Sequence, residues 1–350
     1  MPSNMPTTPP ALPIEVVLPG PVEPSGLEIR PRTPAPPGPG SVLLRMEATG
    51  ISFAEQQMRR GKYYDQPPFP FVPGYDVVGT VVETGEGVDR SLLGRRVAAV
   101  TKTGAWADRV QVPAADLLPV PDDLDPADAE ALLVNGITAW QMLHEVARAR
   151  PGGTVVVLGA NGGVGTVLVQ LARHAGIRVI GTASPRHHDG LRTLGVEPVD
   201  HHAADAAEQV RRLAPAGVDA VFDHVGGPGL ATSWSFLRRG GVLVSYGTAA
   251  TKDDEGNSRL PVLALIGRLL VWNMLPNGRT AHFYNFWSGQ RRHEDFIRRQ
   301  REAYARVLDL ARVGAVRPQI AARLPLSDIV AAFELAESRT VTGKVVVLGD

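Results

Sequence analysis

TVVVLGANGGVGTVLVQLA, residues 154–172, runs from a short β-branched stretch through a cluster of glycines into an apolar pattern with helical spacing. The apolar run ending at Leu158 reads as a buried strand, and the residues after Gly165 read as an amphipathic helix. Between them lies Gly159-Ala160-Asn161-Gly162-Gly163-Val164-Gly165, with Gly159, Gly162 and Gly165 in GxxGxxG spacing. Glycines permit the tight turn and let the backbone approach a pyrophosphate, while the helix N-terminus offers unpaired N–H groups and the positive end of its dipole. A glycine triplet alone also occurs in plain strand–helix turns, so the flanks decide.

The flanks repeat the unit. RVIGTA (178–183), VEPV (196–199), VDAVFDHVG (218–226) and GGVLVSYG (240–247) read as further strands, with LATSWSFLRR (230–239) as a helix between the last two. Strands alternating with helices imply right-handed crossovers and a parallel sheet, a doubly wound nucleotide-binding fold. Upstream, residues 14–112 are β-like and dense in Pro and Gly, and residues 125–149 read as a helix stopped by Pro151-Gly152-Gly153. Residues 1–13 read as a frayed tail, and residues 251–312 as long, helical and aromatic-rich. ARLPLSDIVAAFELAESR (322–339) reads as a helix and TGKVVVLGD (342–350) as a closing strand. The expected class is α/β, a β-rich domain at 1–128 and 283–350 with a doubly wound domain at 129–282 inserted.

Composition narrows the function. The chain has 350 residues, 44% hydrophobic and 21% charged, with 36 basic and 36 acidic side chains. That balance gives no electrostatic footprint for nucleic acid or an anionic membrane. Cysteine is absent, which excludes disulfides, Fe–S clusters, thiolate zinc sites and Cys nucleophiles together. The first residues lack a basic stretch followed by an apolar run, and the apolar segment 261–276 is broken by Arg268. A cytoplasmic protein without membrane insertion is expected.

The second strand addresses the cofactor. Folds that prefer NAD place an acid about 20 residues after the glycines, on the ribose 2′-hydroxyl. Here no acid appears before Asp189, and Ser184, Arg186, His187 and His188 offer donors suited to a 2′-phosphate. NADP(H) is the expected cofactor.

GANGGVG, NGITAW (135–140), VFDHVGG, LVSYG and ISFAEQQMRRGKYYDQPPFPFVPGYDVVGTV (51–81) resemble the medium-chain dehydrogenase/reductase superfamily, in its zinc-free quinone oxidoreductase (zeta-crystallin) branch. The resemblance covers residues 30–350, and LLVNGITAW with the long segment after LVSYG is similar to vesicle amine transport protein homologues. It implies a GroES-like β-rich catalytic domain and a Rossmann domain. Zinc-dependent relatives carry a Cys where this chain has Ser52 and a His-Glu pair at Tyr75-Asp76, and the four-cysteine lobe is missing, so no metal is expected. Without a Lewis acid, reduction of a simple ketone is hard, whereas hydride addition to a conjugated C=C spreads the developing charge into an enolate.

The resemblance also carries residues. It implies that Thr138 holds the nicotinamide carboxamide region and that Gly162, Gly163, Val164 and Gly165 contact the pyrophosphate, beside Gly159 and Asn161. Val225-Gly226 and Tyr246-Gly247 border the nicotinamide, and His201 stands where many relatives have a Tyr near the 2′-phosphate. On the substrate side Ser52 replaces a common Asn, Glu55 a common Asp, and Gln57 a substrate-contacting Tyr. Tyr63 matches a family tyrosine facing the cleft, where its phenol can hydrogen-bond the substrate oxygen or protonate the enolate. Trp272, Phe283, Tyr284, Phe286 and Trp287 either wall a wide apolar pocket or pack between domains and on a dimer surface. The expected activity is NADPH-dependent reduction of an enone, polyenone or quinone by a homodimer acting on an apolar, conjugated small molecule. Reductive cyclisation of a polyene natural product, metal-free carbonyl reduction and a weakly catalytic NADPH-binding interaction role remain open.

Overall fold

The computed structural model describes residues 12–247, 259–338 and 340–350. Residues 1–11 of the tail expected at 1–13, and the opening of the 251–312 segment through residue 258, lie outside the described residues.

The chain begins with β1 (Ile14–Val17), β2 (Glu28–Pro31) and β3 (Ser41–Ile51), then α1 (Phe53–Arg59). β4 (Asp76–Thr84), β5 (Arg96–Val100), β6 (Arg109–Pro113) and β7 (Leu118–Pro119) follow. Next come α2 (Pro126–Trp140), β8 (Thr154–Val157), α3 (Gly163–His174), β9 (Arg178–Ala183), α4 (His188–Thr193) and β10 (Glu197–Asp200). α5 (Ala206–Leu213), β11 (Val218–Asp223), α6 (Leu230–Ser235), β12 (Leu237–Ser245), α7 (Arg259–Asn273) and β13 (Thr280–Phe283) continue the alternation. α8 (His293–Arg312), β14 (Ile320–Pro325), α9 (Ile329–Glu337) and β15 (Lys344–Leu348) complete the chain.

Six parallel strands lie in the order β10-β9-β8-β11-β12-β13, so the chain reverses direction of build between β8 and β11. This is the doubly wound Rossmann order, and its crevice opens at the carboxyl ends of those two strands. β14 and β15 return to the other sheet, β14-β15-β3-β4-β5-β7, where Val345 pairs with Ile51 and Val347 with Thr49. The expected α/β class, a GroES-like β-rich part with a Rossmann part, is what the chain folds into. α2 runs unbroken across residues 128 and 129, and β13 ends at Phe283.

α2 forms because Asp125 caps it, accepting from Ala127 N at 3.0 Å and Asp128 N at 3.1 Å, with Pro126 at its first position. It is buried round most of its surface, between β3 and β4 on one side and α3 and α8 on the other. A buried ion triad ties it to the β-rich sheet: Lys344 Nζ donates to Asp76 Oδ2 at 3.0 Å and to Glu130 Oε1. Lys344 and Glu130 cross over Gly50, where an added Cβ would stand 2.2 Å from Lys344 Cε and 2.5 Å from Glu130 Oε1.

Four local expectations need correction. α1 interrupts the β-like stretch 14–112, because Ser52 and Glu55 form a capping box. The helix before β12 ends at Ser235, and Leu237 pairs with Val218, drawing the LRR segment into the strand. β13 lies inside the segment expected to be helical, recruited by parallel pairing of Val242 with Thr280 and Val244 with His282. The ARLP segment belongs to β14, and helix resumes only at Ile329. Among the described residues no helix is long and apolar enough to cross a membrane.

Candidate functional site

The glycine loop leaves β8 at the switch point. Gly159 has φ +64°, a conformation costly for any residue with a Cβ. Ala160 N donates to Thr182 O at 3.0 Å and Gly159 N to Thr182 Oγ1 at 3.2 Å, pinning the loop to β9. A Cβ on Gly165 would lie 2.2 Å from Gly159 O, so the first turn of α3 packs directly on the loop. A Cβ on Gly162, by contrast, would meet only Gly159 O at 3.4 Å. Gly162 caps α3 without a side-chain acceptor, and no acid stands in the first turn, so the positive end of the helix dipole is not neutralised by a side chain there. Val164 and Asn161 lie in the same loop, and Asn135 of α2 sits against Gly163.

The ends of β11 and β12 complete the crevice. Asp223 Oδ1 accepts from Val225 N and Gly226 N, each at 2.8 Å, and its Oδ2 from Ser233 Oγ at 2.6 Å. That buried carboxylate fixes the turn after β11. Tyr246 N donates to Asp223 O at 2.9 Å, and a Cβ on Gly247 would stand 2.6 Å from His224 O. Gly159, Val225, Tyr246 and Gly247 are therefore brought together around His224.

Ser184 and His201 directly follow the paired residues Ala183 and Asp200, which sets them side by side at the carboxyl edge of β9 and β10. Arg186 Nε donates to His187 Nε2 at 3.0 Å, and His187 Nδ1 meets Thr342 Oγ1 at 2.9 Å, linking this edge to the loop before β15. Asp200 turns its carboxylate to His202 N, at 2.9 Å, and Asp189 pairs with Arg192. The edge is lined by hydroxyl, guanidinium and imidazole groups.

Thr138 is buried in the last turn of α2 beside the Tyr284 hydroxyl, which donates to Gln141 Oε1 at 2.8 Å. Gln141 opens a π-helical turn, Gln141–Val146, a distortion that often marks functional sites. With Tyr284, Phe286, Phe296, Arg299 and Gln300 it lines a cavity of about 160 Å³.

One turn before Thr138, Val134 packs against a cluster of Met58, Tyr63 and Tyr75. The Tyr63 and Tyr75 hydroxyls are 3.3 Å apart, and Trp287 Nε1 donates to Tyr75 Oη. Burial pushes both phenols above their ordinary pKa, so they stand protonated at neutral pH. Glu55 is also buried, its Oε1 accepting from Tyr75 N at 2.7 Å and its Oε2 from Ser52 N at 2.9 Å. Burial first, then the neighbouring Asp76, holds the Glu55 carboxyl above its usual range. The Ser52 hydroxyl is committed to the cap, donating to Glu55 Oε2 and accepting from Ala54 N at 3.0 Å. Gln57 is buried within α1.

Phe286 and Trp287 lie against Tyr75, with centroids 6.4 and 5.6 Å away, whereas Trp272 stacks on Trp234 at 5.0 Å, within the core that also holds Phe283. Tyr75 and His224 are the site residues to which sequence reasoning assigned no role; Trp287 was expected as a pocket wall or a packing residue, and its hydrogen bond to Tyr75 left no local signal.

The donors do not suit zinc. At the positions named above, Ser52 is a helix cap, Tyr75 a protonated phenol, and Asp76 is paired with a buried lysine. Among the described residues no group of three or more His, Asp or Glu side chains is placed to hold a metal ion.

Residues 38–122 match the alcohol dehydrogenase GroES-like domain family, and residues 194–347 match the family described as zinc-binding dehydrogenase. The human synaptic vesicle membrane protein VAT-1 homolog is 39% identical over 225 residues, 64% of this chain and 57% of that protein. The chain thus spans little more than half the length of that relative. A 2-haloacrylate reductase from a Burkholderia species is 31% identical over 322 residues, 89% of this chain and 92% of that protein. A mycobacterial protein solved in complex with NADPH superposes with a TM-score of 0.80 at 28% identity, covering 96% of this chain and 99% of that one. The chain belongs to the medium-chain dehydrogenase/reductase superfamily. Its cysteine-free, capped and salt-bridged donor set is consistent with the zinc-free branch.

Proposed function

We propose that the chain is an NADPH-dependent reductase that saturates an activated, conjugated C=C bond, or reduces a quinone, without a metal. The observation that carries this reading is the adjacency of two features along α2. Asn135 touches the glycine loop at the switch point, and Val134 touches a pair of buried, protonated phenols. Support comes also from the NADPH-bound structural relative and from a relative named for reducing a haloacrylate.

In this reading the N–H groups of Gly163, Val164 and Gly165 hold the pyrophosphate and Gly162 meets it through its bare Cα, its own N–H closing the turn onto Gly159 O at 3.0 Å, with Gly159 and Asn161 shaping that turn. Ser184, Arg186 and His201 receive the 2′-phosphate. Thr138 holds the carboxamide, and Val225, Tyr246 and Gly247 border the ring. When held by these residues, NADPH would supply the hydride that the β-carbon of the substrate receives. Tyr63 holds the substrate oxygen, where negative charge develops, and its phenolic proton is available to the enolate. Trp287 donates to Tyr75, and either hydroxyl of the Tyr63–Tyr75 pair can donate to the other; with Tyr75 as donor the Tyr63 hydrogen is left for substrate. Ser52 acts as a positioning residue through α1 and Glu55. The domain limits 1–128 with 283–350, and 129–282, belong to the same proposal.

Tyr63→Phe is expected to lower kcat by about 10²-fold, the usual worth of a positioned proton donor, with the NADPH Kd unchanged. Steady-state kinetics beside a fluorescence titration check this; an unchanged kcat removes Tyr63 from the mechanism.

We further propose a homodimer built through β13. Among the described residues it is the edge strand of its sheet, and the neighbouring α7 region exposes Leu263, Leu270, Val271 and Met274 at 62%, 61%, 53% and 75%. An open edge beside an apolar patch calls for a cover. Replacing Leu270 and Met274 together by Glu is expected to convert a dimer to a monomer in light scattering. A monomeric unsubstituted protein would contradict this.

A further inference from the structure

His224 has no part in the mechanism above. Its ring rests on the first glycine of the loop: a Cβ built on Gly159 would stand 2.3 Å from Cε1 and 3.0 Å from Nε2. On its other side Nδ1 lies 3.1 Å from Leu158 O. A carbonyl can only accept, so the ring hydrogen sits on Nδ1 and Nε2 presents a lone pair. Nε2 has no hydrogen-bond partner among the described residues.

The groups around the ring come from four strands. Asp223 of β11 has its carboxylate spent on Val225, Gly226 and Ser233. Tyr246, after β12, places its ring centroid 6.0 Å away. His201, after β10, is the remaining titratable neighbour, and Leu158 follows β8. Burial holds the imidazole below its ordinary pKa against the pull of Asp223, so the ring is neutral at pH 7.

We propose that His224 contacts the ligand of this crevice, its Nε2 accepting a hydrogen bond from a ribose hydroxyl of the bound dinucleotide. The inference rests on the dinucleotide reading above. A lone pair at the switch point, seated on the pyrophosphate loop, needs a donor. Phosphate oxygens are acceptors and cannot satisfy it, whereas ribose hydroxyls flank the pyrophosphate and can.

The test is a fluorescence titration with NADPH at pH 8 on the unsubstituted chain, His224→Phe and His224→Gln, with a thermal melt of each. His224→Phe keeps a flat ring on Gly159 but lacks the acceptor, and is expected to raise the Kd roughly tenfold. His224→Gln restores a carbonyl acceptor and is expected to recover most of that loss. A Kd for His224→Phe equal to that of the unsubstituted chain, or no recovery in His224→Gln, overturns the proposal while leaving the dinucleotide reading intact. Failure of the unsubstituted chain to bind NADPH overturns both. If His224→Phe does not fold, the 15N resonance of His224 Nε2 in the unsubstituted chain at pH 8 decides. It is expected to shift upfield when NADPH is added, as an imidazole nitrogen that accepts a hydrogen bond does, and an unmoved resonance overturns the assignment.

Discussion

Gly165→Ala is expected to weaken NADPH binding by about two orders of magnitude, or roughly 2.7 kcal/mol. The new methyl group would sit 2.2 Å from Gly159 O and 3.0 Å from Ala160 Cα. Neither neighbour can yield cheaply, because both are backbone, Ala160 is fully buried and the loop is bonded to Thr182. The loop must therefore move from the position in which, under the proposed function, its N–H groups meet a pyrophosphate. Gly162→Ala separates binding from folding. Its Cβ would meet only Gly159 O at 3.4 Å, so the thermal midpoint should hold while NADPH affinity falls, because the proposed function puts the pyrophosphate where that methyl group would stand. Calorimetric titration beside thermal melts reads both variants. Undiminished affinity in both would mean that the nucleotide does not bind at this loop.

Lys344→Met is expected to cost about 3–5 kcal/mol of stability, the usual result of removing one partner from a buried ion group. Asp76 and Glu130 would be left facing each other in the interior without a cation, and Glu130 Oε2 has no partner even with the lysine present. Burial holds the Glu130 carboxyl well above its ordinary pKa, against the attraction of Lys344. A carboxyl raised in the folded state costs stability above its unfolded pKa, and that cost is relieved as pH falls through the raised value. The deficit of Lys344→Met should accordingly be largest at neutral pH and shrink under acid. Adding Asp76→Asn should return part of it. Urea unfolding at pH 7 and pH 5 measures all three; a loss below about 1 kcal/mol would show the triad to be dispensable.

The nucleotide half of the fold was legible because its signals are local. A strand, a glycine turn and a helix follow one another within residues 154–172, and the period of hydrophobicity changes across them. β13 was not legible for the opposite reason. Thr280–Phe283 is short, lies between helices, and becomes a strand only because β12 offers it an open edge. The same long-range logic hid half of the site. Tyr75 meets Trp287 across 212 positions of sequence, and Lys344 reaches Asp76 across 268, so neither pairing leaves a trace in local pattern. Ser52 was visible as a departure from the family, but its commitment to the cap of α1 required the neighbouring Glu55 carboxylate to be seen in place. His224 stood within a quoted strand end, and its role depends on a ring lying across Gly159.

The most direct measurement supplies NADPH deuterated at the transferable position to the protein under anaerobic conditions, with a long-chain conjugated enone as acceptor. NMR of the product then locates the label. The expected result is oxidation of NADPH with deuterium on the β-carbon of a saturated ketone. Deuterium on the carbonyl carbon, or tight NADPH binding with no turnover of enone or quinone, would contradict metal-free conjugate reduction.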